Sequence, residues 1–255
     1  MKDGGTGTWI IDLDGVIWLA QEPIAGSAEA VARLRAAGIR VLFATNNALP
    51  TLADLVEQLA RVGIAAENDD LVTSARAAAS MLAAGSTAVV CAGGGVSEAL
   101  TEQGVAIVPG GPADAVVVGL TREFDFDMLS AAATAVRDGA RLIGTNEDAT
   151  YPTPGRLLPG AGALLAAVAT AGGVSPEVAG KPHEPIVALL GTRAPDASLV
   201  VGDRPSTDGL LARRLGVGFA LVRSGVTGPR DTPTAVEPDI DAPDLATIVD
   251  RQLGG

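Results

Sequence analysis

The chain has 255 residues, 47% of them hydrophobic and 19% charged, with a mean hydropathy of +0.33. That is enough apolar material for a sizeable core, in one domain or two, and it argues against disorder over most of the length. A formal net charge of −12 with no run of Lys or Arg argues against a nucleic-acid partner, and no apolar run reaches the about 18 residues of a membrane span.

In chain order, residues 1–8 are polar and Gly-rich rather than apolar, so a cytoplasmic protein is the simplest reading. Residues 8–13 (TWIIDL) read as a strand, and 27–37 as a helix stopped by Gly38. Residues 39–45 (IRVLFAT) form the next strand, and Thr51 caps a helix ending at Gly63. Strand, helix, strand, helix implies parallel strands with crossover helices, and the nearly continuous apolar strands imply cover on both faces. The middle repeats this style, with strands at 87–91, 115–120 and 141–144 and helices at 74–84, 96–103, 126–137 and 160–170. Late strands at 198–201 and 217–222 flank a helix around 208–215. The Pro- and Asp-rich 228–243 reads as a loop before a short final helix. With 3% aromatics, the core must be built from Ala, Val, Leu and Ile. Cys91, the single cysteine, forms no intrachain disulfide and reads as a small buried apolar residue.

Four segments carry chemistry. In IIDLDGVIW (10–18), Asp12 and Asp14 end an apolar strand, where parallel sheets bind ligands; two like charges there call for a cation. In FATNN (43–47), the Thr45 hydroxyl and following N–H groups suit phosphate oxygens, although taken alone a plain strand-to-helix turn explains them better. In AGKP (179–182), Lys181 can neutralise a phosphoryl group, although a single Lys in a Gly-Pro loop means little by itself. In SLVVGDRPSTDG (198–209), Asp203 suits a hard cation, and Asp208 either caps a helix or braces the metal site from a second shell.

The ordered set DxDG, T, K, GDxxxxD resembles the haloacid dehalogenase superfamily of phosphatases over nearly the whole chain. The phrase GTNEDATYPTPGRLLPGAGAL (144–164) is similar to its type-C2-capped branch, which includes p-nitrophenyl phosphatase-like enzymes and phosphatases of phosphoglycolate, glycerol phosphate and pyridoxal phosphate. The resemblance implies a doubly wound, parallel-sheet, Rossmann-like α/β core (1–73 and 180–255) with an inserted α/β C2-type cap (74–179). It implies Mg²⁺-dependent hydrolysis of a small phosphorylated metabolite. Asp12 would be nucleophile and metal ligand, and Asp14 general acid and base, with its carbonyl on the metal. Asp203 would be a further ligand and Asp208 a supporting one. Thr45, Asn46 and Asn47 would face the phosphoryl group, with Lys181 paired to it and to Asp12. Asn146, Asp148 and Tyr151 would face substrate from the cap, although Asn146 and Asp148 suit loop organisation as well.

The chain departs from the family pattern at Ala48, where Ser is common, and at Pro205, Ser206 and Gly209, where Leu, Asp and a β-branched residue are common. Trp18 and His183 stand beside these motifs, with packing and a solvated loop position as their plain roles. AGGGVSEAL (92–100) lacks the glycine spacing of a dinucleotide-binding turn. A phosphotransferase or phosphomutase on the same scaffold, or a phospho-accepting signalling module, would use the same residues. Release of inorganic phosphate separates these readings. A homodimer formed through the cap is a further expectation from the resemblance.

Overall fold

The computed structural model describes residues 7–20, 22–153 and 156–254; most of the polar opening segment therefore lies outside the described residues. The chain forms two compact units, Met1–Thr45 with Leu55–Val72 and Val187–Gly255, and Asn46–Asp54 with Thr73–Ile186. Compactness groups 46–54 and 180–186 with the second unit, whereas the sequence boundaries assign them to the core segments. The reason is local. Asn46 bonds the backbone of Lys181, and Gly95 donates its N–H to the Leu49 carbonyl.

The first unit is built on a six-stranded sheet in the order Ile240–Ala242, Gly218–Val222, Ala197–Gly202, Thr8–Ile11, Arg40–Thr45, Leu71–Thr73. The pairings from Ile240–Ala242 through Arg40–Thr45 are parallel. Ile10, Ile11, Leu42, Phe43, Val200, Val201 and the run 219–222 are buried, so successive residues on both sheet faces are covered. From Thr8–Ile11 the chain moves outward in one direction, and from Ala197–Gly202 it moves outward in the other. The strand order therefore reverses between these two neighbours, as in doubly wound sheets.

The flanking helices follow their end signals. Ser27–Ala36 stops where Gly38 adopts φ 80°, and Ile39 N–H returns to the Leu34 carbonyl. At the start of Leu52–Arg61, Thr51 and Asp54 exchange side-chain and backbone hydrogen bonds in a capping box. The helix expected at 74–84 is shorter, Ser74–Ala79. Ser80 Oγ turns back to the Ala77 carbonyl, and the next N–H groups make tight i−3 bonds that close the last turn. The expected 228–243 loop contains the edge strand Ile240–Ala242, too short to leave a periodic signal.

The second unit carries a five-stranded parallel sheet in the order Glu177–Val178, Arg141–Gly144, Ala115–Val118, Thr87–Cys91, Ala106–Val108. Helices Phe126–Arg137 and Ala161–Gly172 pack on it over a core of Val89, Val116, Val118, Ala132, Val136, Leu165 and Val168. The short antiparallel pair Thr150–Thr153 and Arg156–Pro159 follows the sheet's last long strand. Among the described residues, no helix is long and apolar enough to cross a membrane.

Candidate active site

Asp12 and Asp203 each follow directly on one of the two strands that flank the reversal in strand order. Asp12 N–H donates to the Val201 carbonyl at 2.9 Å, continuing the ladder by one residue, and the Asp12 carboxylate accepts the Leu13 N–H at 2.8 Å. Asp203 Oδ2 accepts the Val226 N–H at 2.6 Å, from the loop after the neighbouring strand. Asp208 lies in a wide π-type turn, Pro205–Gly209, a geometry frequent at functional sites. Its Oδ2 accepts the Arg204 N–H at 3.1 Å, so it closes this turn and does not cap the following helix, Leu210–Leu215.

The three carboxylates are buried, at 9%, 2% and 0% exposure, and each offers an oxygen within 4.8 Å of the others. Glycines make the room. A Cβ on Gly225 would stand 2.0 Å from Asp203 Oδ2, one on Gly15 2.4 Å from the same oxygen, and one on Gly202 2.2 Å from Asp208 Cγ. Gly15 also has φ 86°, which favours glycine for a second reason. Three clustered carboxylates repel one another unless a cation compensates, and an all-oxygen donor set suits a hard divalent ion. The residues present fit such an ion, and Asp208 lies in the same cluster.

Asp14 is exposed, and its Oδ1 accepts the indole N–H of Trp18 at 3.1 Å. The turn between them is closed by Gly15 N–H to the Trp18 carbonyl at 2.6 Å, and Ser224 Oγ donates to the Gly15 carbonyl at 2.7 Å. Thr45, at the end of its strand, is buried.

In the second unit, Asn46 clasps Lys181. Its Oδ1 accepts the Lys181 N–H at 2.7 Å, and its Nδ2 donates to the Lys181 carbonyl at 3.1 Å. Lys181 is 4% exposed. The Asn46 carbonyl in turn accepts Ser74 Oγ and Asn146 Nδ2, both at 2.8 Å. Asn146 Oδ1 accepts the Asp148 N–H, so Asn146 organises its loop and ties it to Asn46. Asn47 Oδ1 accepts the Leu49 N–H, a turn role. Arg122 Nη2 donates to the Tyr151 hydroxyl at 3.4 Å, and His183 Nε2 pairs with Glu147 Oε1 at 3.1 Å, which gives His183 a partner in the Asn146 loop. Ala48 is buried. At Gly209, a Cβ would meet Val236 and Phe219 at 3.0–3.1 Å, so these two side chains take the space of the usual β-branched residue. Burial pushes the Cys91 thiol up to about 11, in keeping with a plain packing role.

The sequence reading missed three parts of this arrangement. These are the Asn46 clasp, the Trp18–Asp14 bond, and the Ser224–Val226 segment that holds Gly15 and Asp203. The only local sign of the last is a Ser-Gly turn after an apolar strand.

Residues 9–106 match the family model of the haloacid dehalogenase-like hydrolases, and residues 178–248 match a second, HAD-hydrolase-like model. An acid sugar phosphatase of Staphylococcus saprophyticus is 34% identical over 250 residues, covering 94% of this chain and 96% of the relative. The chain belongs to the haloacid dehalogenase-like hydrolases. Among solved structures, p-nitrophenyl phosphatase from Archaeoglobus fulgidus matches with TM-score 0.89 and 29% identity over 96% of this chain and 98% of that one. Glycerol phosphate phosphatase from Mycobacterium tuberculosis, in complex with magnesium, matches with TM-score 0.84 and 32% identity over 99% of this chain and 78% of that one. These matches span both units, so the resemblance to C2-capped members holds along the chain. This hydrolase is an enzyme of the phosphatase type.

Proposed function

We propose that the protein hydrolyses a small phosphate monoester, of the sugar phosphate or glycerol phosphate kind, with Mg²⁺ and through a phosphoryl group carried on Asp12. The observation that carries this reading is the buried Asp12–Asp203–Asp208 cluster at the reversal in strand order. The acid sugar phosphatase and glycerol phosphate phosphatase relatives support the substrate class, and the magnesium complex of the latter supports the ion.

In this reading Asp12 and Asp203 would hold Mg²⁺, with the Asp14 carbonyl as a further ligand and Asp208 supporting them. The ion, when bound, supplies positive charge that an acidic protein otherwise lacks. An Asp12 oxygen attacks phosphorus, and the bond to the leaving oxygen breaks. The Asp14 carboxyl gives its proton to that oxygen, then takes one from the water whose oxygen displaces Asp12. Thr45 and the Asn46 N–H hold phosphoryl oxygens, with Asn47 beside them. Lys181 neutralises the transferring group, which makes its clasp by Asn46 a means of fixing that charge. Asn146 and Asp148 shape the loop that faces substrate, and Tyr151 selects the substrate from the cap.

Phosphate release is measured from a panel of sugar phosphates, glycerol phosphate, phosphoglycolate, pyridoxal phosphate and nucleotides, with Mg²⁺ or with EDTA. Release is expected with Mg²⁺ only and is expected to be lost in Asp12→Asn. Activity that survives in EDTA or in Asp12→Asn overturns the mechanism. Transfer of the phosphoryl group to an added sugar without phosphate release identifies a phosphotransferase.

A further inference from the structure

The structure leaves the Trp18 indole with a task that packing alone does not explain. Trp18 is 2% exposed, yet its Nε1–H reaches out of the core to Oδ1 of Asp14, an exposed carboxylate. Several hydrogen bonds close the intervening turn. Gly15 N–H binds the Trp18 carbonyl at 2.6 Å, Ile17 N–H binds the Leu13 carbonyl at 2.9 Å, and Ser224 Oγ holds the Gly15 carbonyl at 2.7 Å. Trp18 also begins the short antiparallel pair Trp18–Leu19 with Glu22–Pro23. The ring is therefore fixed by its burial and its backbone, and it holds one oxygen of the aspartate.

We infer that Trp18 is a positioning residue for the proton transfer made by Asp14. The inference rests on the proposed role of Asp14 as general acid and base. An indole N–H is a donor only, with no acceptor capacity. While it donates to Oδ1, that oxygen serves as the acceptor, and the exchanging proton is carried on Oδ2. Trp18 thus decides which oxygen of Asp14 exchanges the proton and holds the carboxyl in one rotamer. A donor fixed in the core narrows the rotamers open to an exposed carboxylate. Orientation of this kind raises rate without adding binding, because only the transition state needs the proton at that point.

The consequence depends on the leaving group. Sugar and glycerol phosphates expel a strongly basic alkoxide, which needs the proton. p-Nitrophenyl phosphate expels a stable phenolate, which needs it far less. In the first half-reaction, the P–O bond to the leaving group breaks as Asp12 bonds to phosphorus, and the Oδ2 proton passes to the departing oxygen. A misplaced Asp14 therefore harms alkyl phosphates more than nitrophenyl phosphate.

The test measures kcat/KM for a series of alkyl and aryl phosphates with the Mg²⁺-loaded wild type, Trp18→Phe and Asp14→Asn. Trp18→Phe keeps an aromatic ring in the core and removes only the donor. It is expected to lose about tenfold on glycerol phosphate and less than threefold on p-nitrophenyl phosphate, a fraction of what a general acid contributes. An equal loss across the series overturns the inference and leaves Trp18 as a packing residue. Asp14→Asn separates the two levels of the argument. If its own loss does not grow with leaving-group basicity, the role of Asp14 fails and the inference falls with it. Should Trp18→Phe lose its cooperative thermal transition, benzothienylalanine at position 18 keeps the bicyclic shape without the N–H and is judged by the same slope.

Discussion

At the carboxyl edge of the first unit's sheet, three buried carboxylates crowd within 4.8 Å of one another; in the second unit, the side-chain amides of Asn46 and Asn146 tie together the loops that carry Asn46, Asn146 and Lys181. Both sheets are built on parallel pairings, and both place polar residues where apolar strands end. They differ in how the polar groups are made tolerable. The carboxylates are given space by Gly15, Gly202 and Gly225, and each accepts a backbone N–H group. The Asn46 amide instead bonds both backbone groups of Lys181, and the Asn146 amide bonds the Asn46 carbonyl and the Asp148 N–H. A charge cluster suited to an ion needs room. A brace needs saturated hydrogen bonds and little room.

That contrast is sharpest at the glycines. Gly225→Ala places a methyl group on the Asp203 carboxylate, and Gly202→Ala places one on Asp208. Each is expected to weaken Mg²⁺ binding at least about tenfold and to cost about 1–3 kcal/mol of stability from overpacking. Isothermal titration with Mg²⁺ alone and thermal melts read the two effects, and unchanged affinity in both variants would break the comparison.

The brace is expected to respond differently. Asn46→Ala removes two hydrogen bonds to Lys181, at a cost of about 1–3 kcal/mol. Phosphatase activity is expected to fall with Lys181 unclasped, while Mg²⁺ affinity stays within about twofold of wild type, because the carboxylate cluster is untouched. Titration and steady-state kinetics on the same preparation check this, and a parallel fall in Mg²⁺ affinity would count against it.

A smaller effect comes from the ion pairs that each unit carries. Arg223 binds both Asp241 oxygens and the Gly228 and Asp231 carbonyls, and it holds the Asp241 carboxyl below the usual carboxylate range. Arg141 does the same for Glu177. A depressed folded pKa adds stability above the unfolded pKa and loses it as pH falls through the folded one. Thermal melts of wild type, Asp241→Asn and Glu177→Gln are therefore expected to differ near neutrality and to converge in acid. A difference that persists at low pH would place the effect in packing. Exposed pairs of this kind are worth at most about 1 kcal/mol.

The smallest expected change is a control. Gly191, inside helix Glu184–Arg193, has open space where a Cβ would stand. Gly191→Ala is expected to stabilise by up to about 1 kcal/mol and to leave Mg²⁺ affinity unchanged, as read by melting and titration.

The sequence was sufficient for whatever is encoded by short-range pattern. The apolar runs at 8–13, 39–45 and 198–201 marked the central strands, and the polar residues that end them marked Asp12, Thr45 and Asp203. The motif order added Lys181 and the family. Strand periodicity is local, however, and does not name neighbours. Only the tertiary structure decided that Thr8–Ile11 lies beside Ala197–Gly202, which brings Asp12 and Asp203 together at the reversal in strand order. The same holds for the Asn46 clasp, which joins residues far apart in sequence, and for Asp208, whose π-type turn replaces the helix cap that a residue before an apolar run suggests. Even the Trp18–Asp14 bond, four residues long, stayed hidden, because a side chain's direction depends on how the turn closes against Ser224 and the core.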